Sequence, residues 1–507
     1  MTNPVSTAGL SSTETLVPDP IASPLAGKAP RKPGQAVVIV HGMGEQRPMD
    51  TLRRFVQAVW SHDPSRAPFY ARVADPANPA GAKINQSWIT PDSRTNSYEL
   101  RRITTPYDVD GRRTDFYELY WADITQGTTR GRLAAWVTNL LWRKPADIPP
   151  DARKLYLVTL VAVIIVLAAV LALATSVWQQ QISWTIGALV TILASFVIWS
   201  VDRFGLPYFG DVAAYVRAEA ATVEKRALIR SRGLRLLKRL MMDDTYDRIV
   251  LVSHSLGSMI AYDLLQILWA DFRPRKLEAI RDKAKLKAIH AIDKATLVAD
   301  GSAWPSSLDD LAGFRRDQWE LYRQLRTKDD NHRPWKISDF VTLGSPLTHS
   351  EFLVTHNLAE FRHGIAERLF SACPPVAEGA AAGGTVLYQE GRNRSSGKPQ
   401  RAVHHGAVFA ATRWTNIFDR GNGWLTGDPI SGPMAENFGP GVENIQVELR
   451  GSLGRIFTHT LYWSLTATGI EAGDQPRSHL AVLRYAVDLG RKLEPSQAEA
   501  RAIPPEK

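Results

Sequence analysis

Short unbroken apolar runs and stretches of helical spacing alternate along this chain. Ala36-Val37-Val38-Ile39-Val40 and Ile249-Val250-Leu251-Val252 are continuous and rich in β-branched residues. That is the pattern of strands buried on both faces. Further strands are expected over 98–104, where polar and apolar residues alternate, over 116–121, and over 444–449. Segments 339–346 and 413–419 also read as strands, each ending in turn chemistry. Helical spacing follows the second buried run at 258–265, and is expected again over 211–241, through most of 275–335, and over 480–485. Residues 1–34 carry many Ser, Thr, Pro and Ala and are expected to be a disordered lead-in. Residues 74–97 and 373–405 read as loops, and 491–507 as a C-terminal tail.

A second pattern lies between these strands. From Leu155 to Val201 there is no Asp, Glu, Lys, Arg or His. Stretches 155–178 and 184–201 approach or exceed the ~20 apolar residues that a membrane-spanning helix needs. Trp178 and Trp184 flank the short connector, while Tyr156 and Trp199 mark the opposite ends, as in two aromatic belts. Arg143, Lys144, Arg153 and Lys154 precede the pair, and Arg203, Arg217, Lys225, Arg226 and Arg230 follow it. The expectation is a two-helix transmembrane hairpin within 143–210, with both flanks cytoplasmic, and so an integral membrane protein whose remaining domain faces the cytoplasm. Residues 134–142 read either as an amphipathic lead into it lying in the interface or as an ordinary core helix. The net charge of +10 over 507 residues is concentrated near the hairpin, which favours anionic lipid headgroups over nucleic acid. A single cysteine, Cys373, excludes an internal disulfide framework. His404-His405 has no companion ligands at useful spacing, so neither a metal nor another cofactor is expected.

The chemistry concentrates where the second buried run ends. Ser253-His254-Ser255-Leu256-Gly257 joins the strand to the helical stretch, the layout of a nucleophile elbow. Such a turn exposes a serine hydroxyl at the strand's carboxyl end and aims the helix N-terminus at the reacting centre. Small flanking residues are needed there. Gly257 satisfies this, and Ser253 stands where the G-x-S-x-G pattern has its first glycine. The alternative is a serine-rich turn that only caps the helix. The first buried run ends in His41-Gly42-Met43-Gly44.

On these residues the chain resembles the α/β-hydrolase superfamily, in its lipase and esterase branch. The resemblance implies an α/β fold, a mostly parallel sheet with helices on both faces, here interrupted by the hairpin. A first part would cover 35–142 and a second 211–490, with 275–335 inserted where caps are common. It further implies Ser255 as nucleophile, and an oxyanion hole from the backbone N–H groups of Met43 and Leu256, with Gly42 in the loop. A loop aspartate after the second strand beyond the elbow would be the acid. Asp428 and Asp419 compete for that role, and Asp428 is preferred because Asp-Pro-Ile resembles a sequence common at this place in the family. The base follows the acid in chain order, which leaves His459 and His479; His459, on a loop after the last strand, is the better placed.

The expected function is therefore a membrane-anchored serine hydrolase cleaving a lipid or other hydrophobic acyl ester through an acyl-serine intermediate. The alternative is a membrane-tethered binding or assembly module on the same fold, with little or no catalysis.

Overall fold

The computed structural model describes residues 32–490 apart from 43–46, 70–84, 126–147, 149–152, all but scattered positions between 153 and 219, 298–304, 378–383, 422–425 and several shorter stretches. The disordered lead-in, the tail, Met43, the interfacial segment 134–142 and most of the hairpin thus lie outside the described residues.

The two continuous apolar runs form adjacent central strands, β1 (Gly34–Val40) and β5 (Tyr246–His254), paired in parallel. The other strands are β2 (Trp88–Pro91), β3 (Arg101–Thr104), β4 (Thr114–Leu119), β6 (Ile337–Leu343), β9 (Arg413–Phe418), β10 (Glu443–Arg450) and β11 (Thr468–Glu471). Together they make one nine-stranded sheet in the order β11-β10-β9-β6-β5-β1-β4-β3-β2. From β10 to β4 the pairing is parallel; β11 closes one edge, and β3 and β2 the other, antiparallel. A fully buried strand must be apolar on both faces, and β1 shows why its run is unbroken. Ala36, Val38 and Val40 enter one core layer, while Val37 and Ile39 enter the other.

Helix α1 (Asp50–Val56) covers the second layer. The first is covered by α2 (Ala220–Met242), α3 (Leu256–Phe272), α4 (Lys283–Leu297), α5 (Leu308–Leu325) and α6 (Leu358–Ala366). Helix α7 (His479–Val487) returns to the second layer. The architecture is α/β with a mostly parallel sheet. Within 373–405, expected to be loop, β7 (Leu387–Arg392) and β8 (Pro399–Val403) form a separate antiparallel hairpin.

The expected transmembrane hairpin requires correction. Among the described residues no helix is long and apolar enough to cross a membrane. Length and apolarity do not coincide: α2 has 23 residues but carries Lys225, Arg226, Arg230 and Arg232, whereas α3 is apolar but has only 17 and is buried in the core. The placement as an integral membrane protein with two helices and a cytoplasm-facing domain is withdrawn on this finding.

Strand order reverses direction at β1, which has β4 on one side and β5 on the other. Ligands of open α/β sheets bind at the carboxyl ends of the strands at such a switch point. The opposite end is closed by a buried ion network. The Arg248 guanidinium, in a residue 1 % exposed, donates to Asp339 (2.8 Å), Gln35 (2.8 Å), and the carbonyls of Val487 (3.2 Å) and Asp488 (2.7 Å) at the end of α7. Arg413 pairs with the other oxygen of Asp339. Removing the shared carboxylate takes from two buried cations the anion that both of them pair with. Asp339→Ala should therefore cost about 3–5 kcal/mol, read from urea unfolding; a loss within experimental error would show that the network is not needed.

Candidate functional site

Four strands deliver the expected residues to one end of the sheet. Strand β1 ends in His41-Gly42 and β5 in His254-Ser255, while the loops after β9 and β10 carry Asp428 and His459. Ser255 caps α3 with φ 53° and ψ −133°, a conformation costly for a residue with a side chain. Gly257 makes the turn possible, because a Cβ there would lie 2.4 Å from the carbonyl oxygens of both Val40 and His41. Ser253 occupies the flanking position with its hydroxyl turned sideways to donate to the Val341 carbonyl (3.2 Å). A chain of hydroxyls braces the turn. The Ser345 Oγ receives the Leu347 N–H, Ser345 pairs with Ser258, and Ser258 donates to the Ser255 carbonyl (2.6 Å).

The His-Gly loop is clamped by a residue that sequence reasoning missed. His41 stacks on Trp121 (centroids 4.9 Å apart) and accepts its backbone N–H at Nε2 (3.0 Å), so Nδ1–H donates to the Gly42 carbonyl (2.8 Å). Burial lowers the His41 pKa to about 4 and keeps the ring neutral. Gly42 has no room for a side chain: a Cβ would stand 2.8 Å from both His254 Nδ1 and Ser255 Cβ. Leu256 N–H is the first of α3 and has no intrahelical acceptor. Met43 lies outside the described residues.

The two aspartates separate cleanly. Asp428 Oδ2 is 2.9 Å from His459 Nδ1 and receives the Tyr462 hydroxyl (2.7 Å), while Oδ1 receives Ile430 N–H (2.9 Å). Burial disfavours the Asp428 charge, but His459 and these donors outweigh it and hold the carboxyl at about 2. Asp428 is thus an acceptor only, and the His459 proton facing it sits on Nδ1. Asp419 does not touch His459. It receives Thr458 Oγ1 (2.7 Å), Leu449 N–H (3.1 Å) and Arg455 (2.8 Å), tying β9 and β10 to the histidine loop. His479 starts α7 with Nε2 at the Ser464 carbonyl (3.1 Å), apart from this group.

His254, the residue before Ser255, acts as a spacer. Its Nε2–H donates to the backbone carbonyl of His459 (2.8 Å), and the two rings lie 4.7 Å apart. Burial, with the neighbouring His459, lowers the His254 pKa to about 3, so it holds the His459 backbone as a neutral ring.

Two buried polar atoms remain without hydrogen-bond partners here: Ser255 Oγ and His459 Nε2, in residues each 1 % exposed. Leaving such an atom unpaired costs about 1–3 kcal/mol, and each such group calls for an explanation, of which a catalytic role is one. Among the described residues no group of His, Cys, Asp and Glu could hold a metal ion. Comparison with protein-family models, curated proteins and solved structures finds no match to this chain.

Gly344, after β6, was also missed. At φ 55° its added Cβ would meet Tyr462 (2.6 Å), Asp428 Oδ2 (2.9 Å) and His459 Nδ1 (3.2 Å). Gly454 has a similar φ of 68° with nothing within 4 Å. Gly454→Ala should cost only the left-handed backbone term of about 1–2 kcal/mol, whereas Gly344→Ala should cost clearly more and disturb the Asp428–His459 pair. Equal losses for both in urea unfolding would show that the pair has room to move.

Glu118, on β4 beside β1, accepts Met49 N–H (2.7 Å), while its other oxygen has no partner. Burial pushes its carboxyl up to about 7. A carboxyl whose folded pKa is raised contributes stability below its unfolded pKa of about 4.3 and loses it as pH rises through 7. Glu118→Gln should remove this loss, gaining on the order of 3 kcal/mol over wild type at pH 8 relative to pH 5. A wild-type-minus-variant difference that is flat between those pH values would contradict it.

Proposed function

We propose that the protein is a serine hydrolase of the α/β-hydrolase superfamily that cleaves carboxylic esters through an acyl-Ser255 intermediate. The observation that carries this reading is the pair of unpartnered buried atoms, Ser255 Oγ and His459 Nε2, beside a histidine whose other nitrogen is fixed by an ionised carboxylate.

With Nδ1–H facing Asp428, the neutral His459 ring keeps its lone pair on Nε2. That nitrogen takes the Ser255 proton as Oγ attacks the ester carbonyl carbon. The oxyanion so formed is received by Leu256 N–H, a donor of a kind that supplies roughly 3–4 kcal/mol, and the second donor expected from the sequence, Met43 N–H, lies outside the described residues. His459 returns the proton to the leaving alkoxide, and the alcohol departs. A water then loses its proton to His459, attacks the acyl carbon, and releases the acid as Ser255 regains its proton. No cofactor enters these steps. Asp428 fixes the tautomer, Tyr462 and Ile430 N–H fix Asp428, and Asp419 holds the loop that carries His459. The expectation of a lipid substrate rested on a bilayer placement that is withdrawn.

Labelling with a fluorophosphonate tests the reading. Wild type should be labelled and Ser255→Ala should not. In ester hydrolysis Asp428→Asn should lose roughly 10³–10⁴-fold in kcat, and Asp419→Asn far less. Unlabelled, folded wild type, or equal small effects at the two aspartates, would leave the fold as a binding module instead.

A further inference from the structure

Helices α2, α3 and α6 contribute to the lining of a cavity of about 60 Å³. Aromatic rings make much of its wall. Phe361 packs against Phe370 and Phe438, with centroids 5.1 and 5.5 Å apart, and Phe438 lies 5.3 Å from Tyr262. All four line the cavity, whereas neither Ser255 nor His459 does. Asp263, which also lines it, is eight residues beyond Ser255, a rise of ~12 Å along α3. The cavity is a place apart from the serine–histidine pair.

Hydrogen bonding singles out one of its polar groups. The Tyr262 hydroxyl donates to the Ser371 carbonyl (2.8 Å), Ser350 Oγ to the Leu347 carbonyl (2.7 Å), and the Tyr215 hydroxyl to Asp263 (2.7 Å). Asp263 also receives Arg230 Nε (3.1 Å). Arg226 is different. Its guanidinium lies over the Tyr215 ring (5.5 Å), but its buried Nε has no hydrogen-bond partner, and among the described residues it makes no ion pair. Arg230 lies over the same ring at 5.7 Å, so two guanidinium cations meet a single carboxylate. Burial, and then the charge of Arg230, lower the Arg226 pKa. A second anion at this point would relieve both.

We propose that the cavity is a binding site for short-chain monocarboxylates, with the carboxylate on Arg226 and the alkyl chain against the aromatic rings. A planar guanidinium matches a carboxylate in charge and geometry. The remaining walls offer no unfilled donor or acceptor, so the rest of the ligand is apolar. Volume sets its length. At 60 Å³ the space is well below the ~150 Å³ that admits a benzene ring, and it takes a chain of only a few carbons, as in butyrate. The site does not depend on the acyl-serine reading.

Thermal unfolding of the full chain tests it. Sodium butyrate should raise Tm saturably, by about 1–3 °C at large excess over Kd. Butyramide, its neutral counterpart, and sodium chloride at equal concentration should not. Arg226→Gln should raise the apparent Kd for butyrate by on the order of tenfold or more, and Arg226→Lys by less. No butyrate shift in wild type, an equal shift from butyramide or chloride, or a butyrate effect unchanged in Arg226→Gln overturns the inference. The butyrate and butyramide comparison needs only wild type, so it decides even where a variant fails to fold. Fluorophosphonate labelling of Ser255 reports on the hydrolase reading separately.

Discussion

The contact on which the carboxyl end of the sheet depends is the approach of α3 to the end of β1. It exists because residue 257 has no side chain; any Cβ would press on the carbonyls of Val40 and His41. With the helix this close, the chain leaving β5 must turn within one residue, and Ser255 takes the positive φ that the turn demands. The strain is held by neighbours on both sides. The hydroxyls of Ser258 and Ser345 support its carbonyl, and Leu343 O receives its N–H (3.0 Å). The hydroxyl of Ser255 is the group left over.

The rest of the site is an exercise in holding a second group against that one. His459 sits on a loop, and a loop alone would not keep an imidazole in one orientation. Its backbone is tied to His254, its ring to Asp428, and its preceding residue, Thr458, to Asp419. Tyr462 bridges the two acids, donating to Asp428 while its oxygen receives Asp419 N–H (3.2 Å). Each tie engages a different atom, so the ring nitrogen that faces away from Asp428 is the one with nothing to bond. Polar networks of this kind are costly unless nearly complete, which makes the two open positions informative.

Much of the parallel core was legible because burial on both faces writes itself as an unbroken apolar run, as in β1 and β5. The elbow was legible because strand, small residues and helix succeed one another in five positions. The choice between Asp419 and Asp428 was not, since both follow β9 and only their three-dimensional neighbours distinguish them. Gly344 and Tyr462 carried no signal of their own; a glycine after a strand is ordinary until the side chains it admits are known. Short edge strands such as β2, whose Trp88 and Ile89 are half exposed, lack the periodicity that burial imposes. The apolar stretch before α2 misled by length. Helix α3 shows that an apolar helix in this chain can owe its composition to a protein core.

The central claim is that Ser255 carries the acyl group. An acid quench during steady-state turnover of an activated aryl ester, followed by peptide mass mapping, tests it most directly. The account predicts a mass gain of one acyl group on the peptide containing Ser255, absent in Ser255→Ala and formed far more slowly in His459→Ala, because His459 takes the Ser255 proton in the acylation step. An acyl group on another side chain, or turnover with no acyl-enzyme under conditions that slow deacylation, would contradict it.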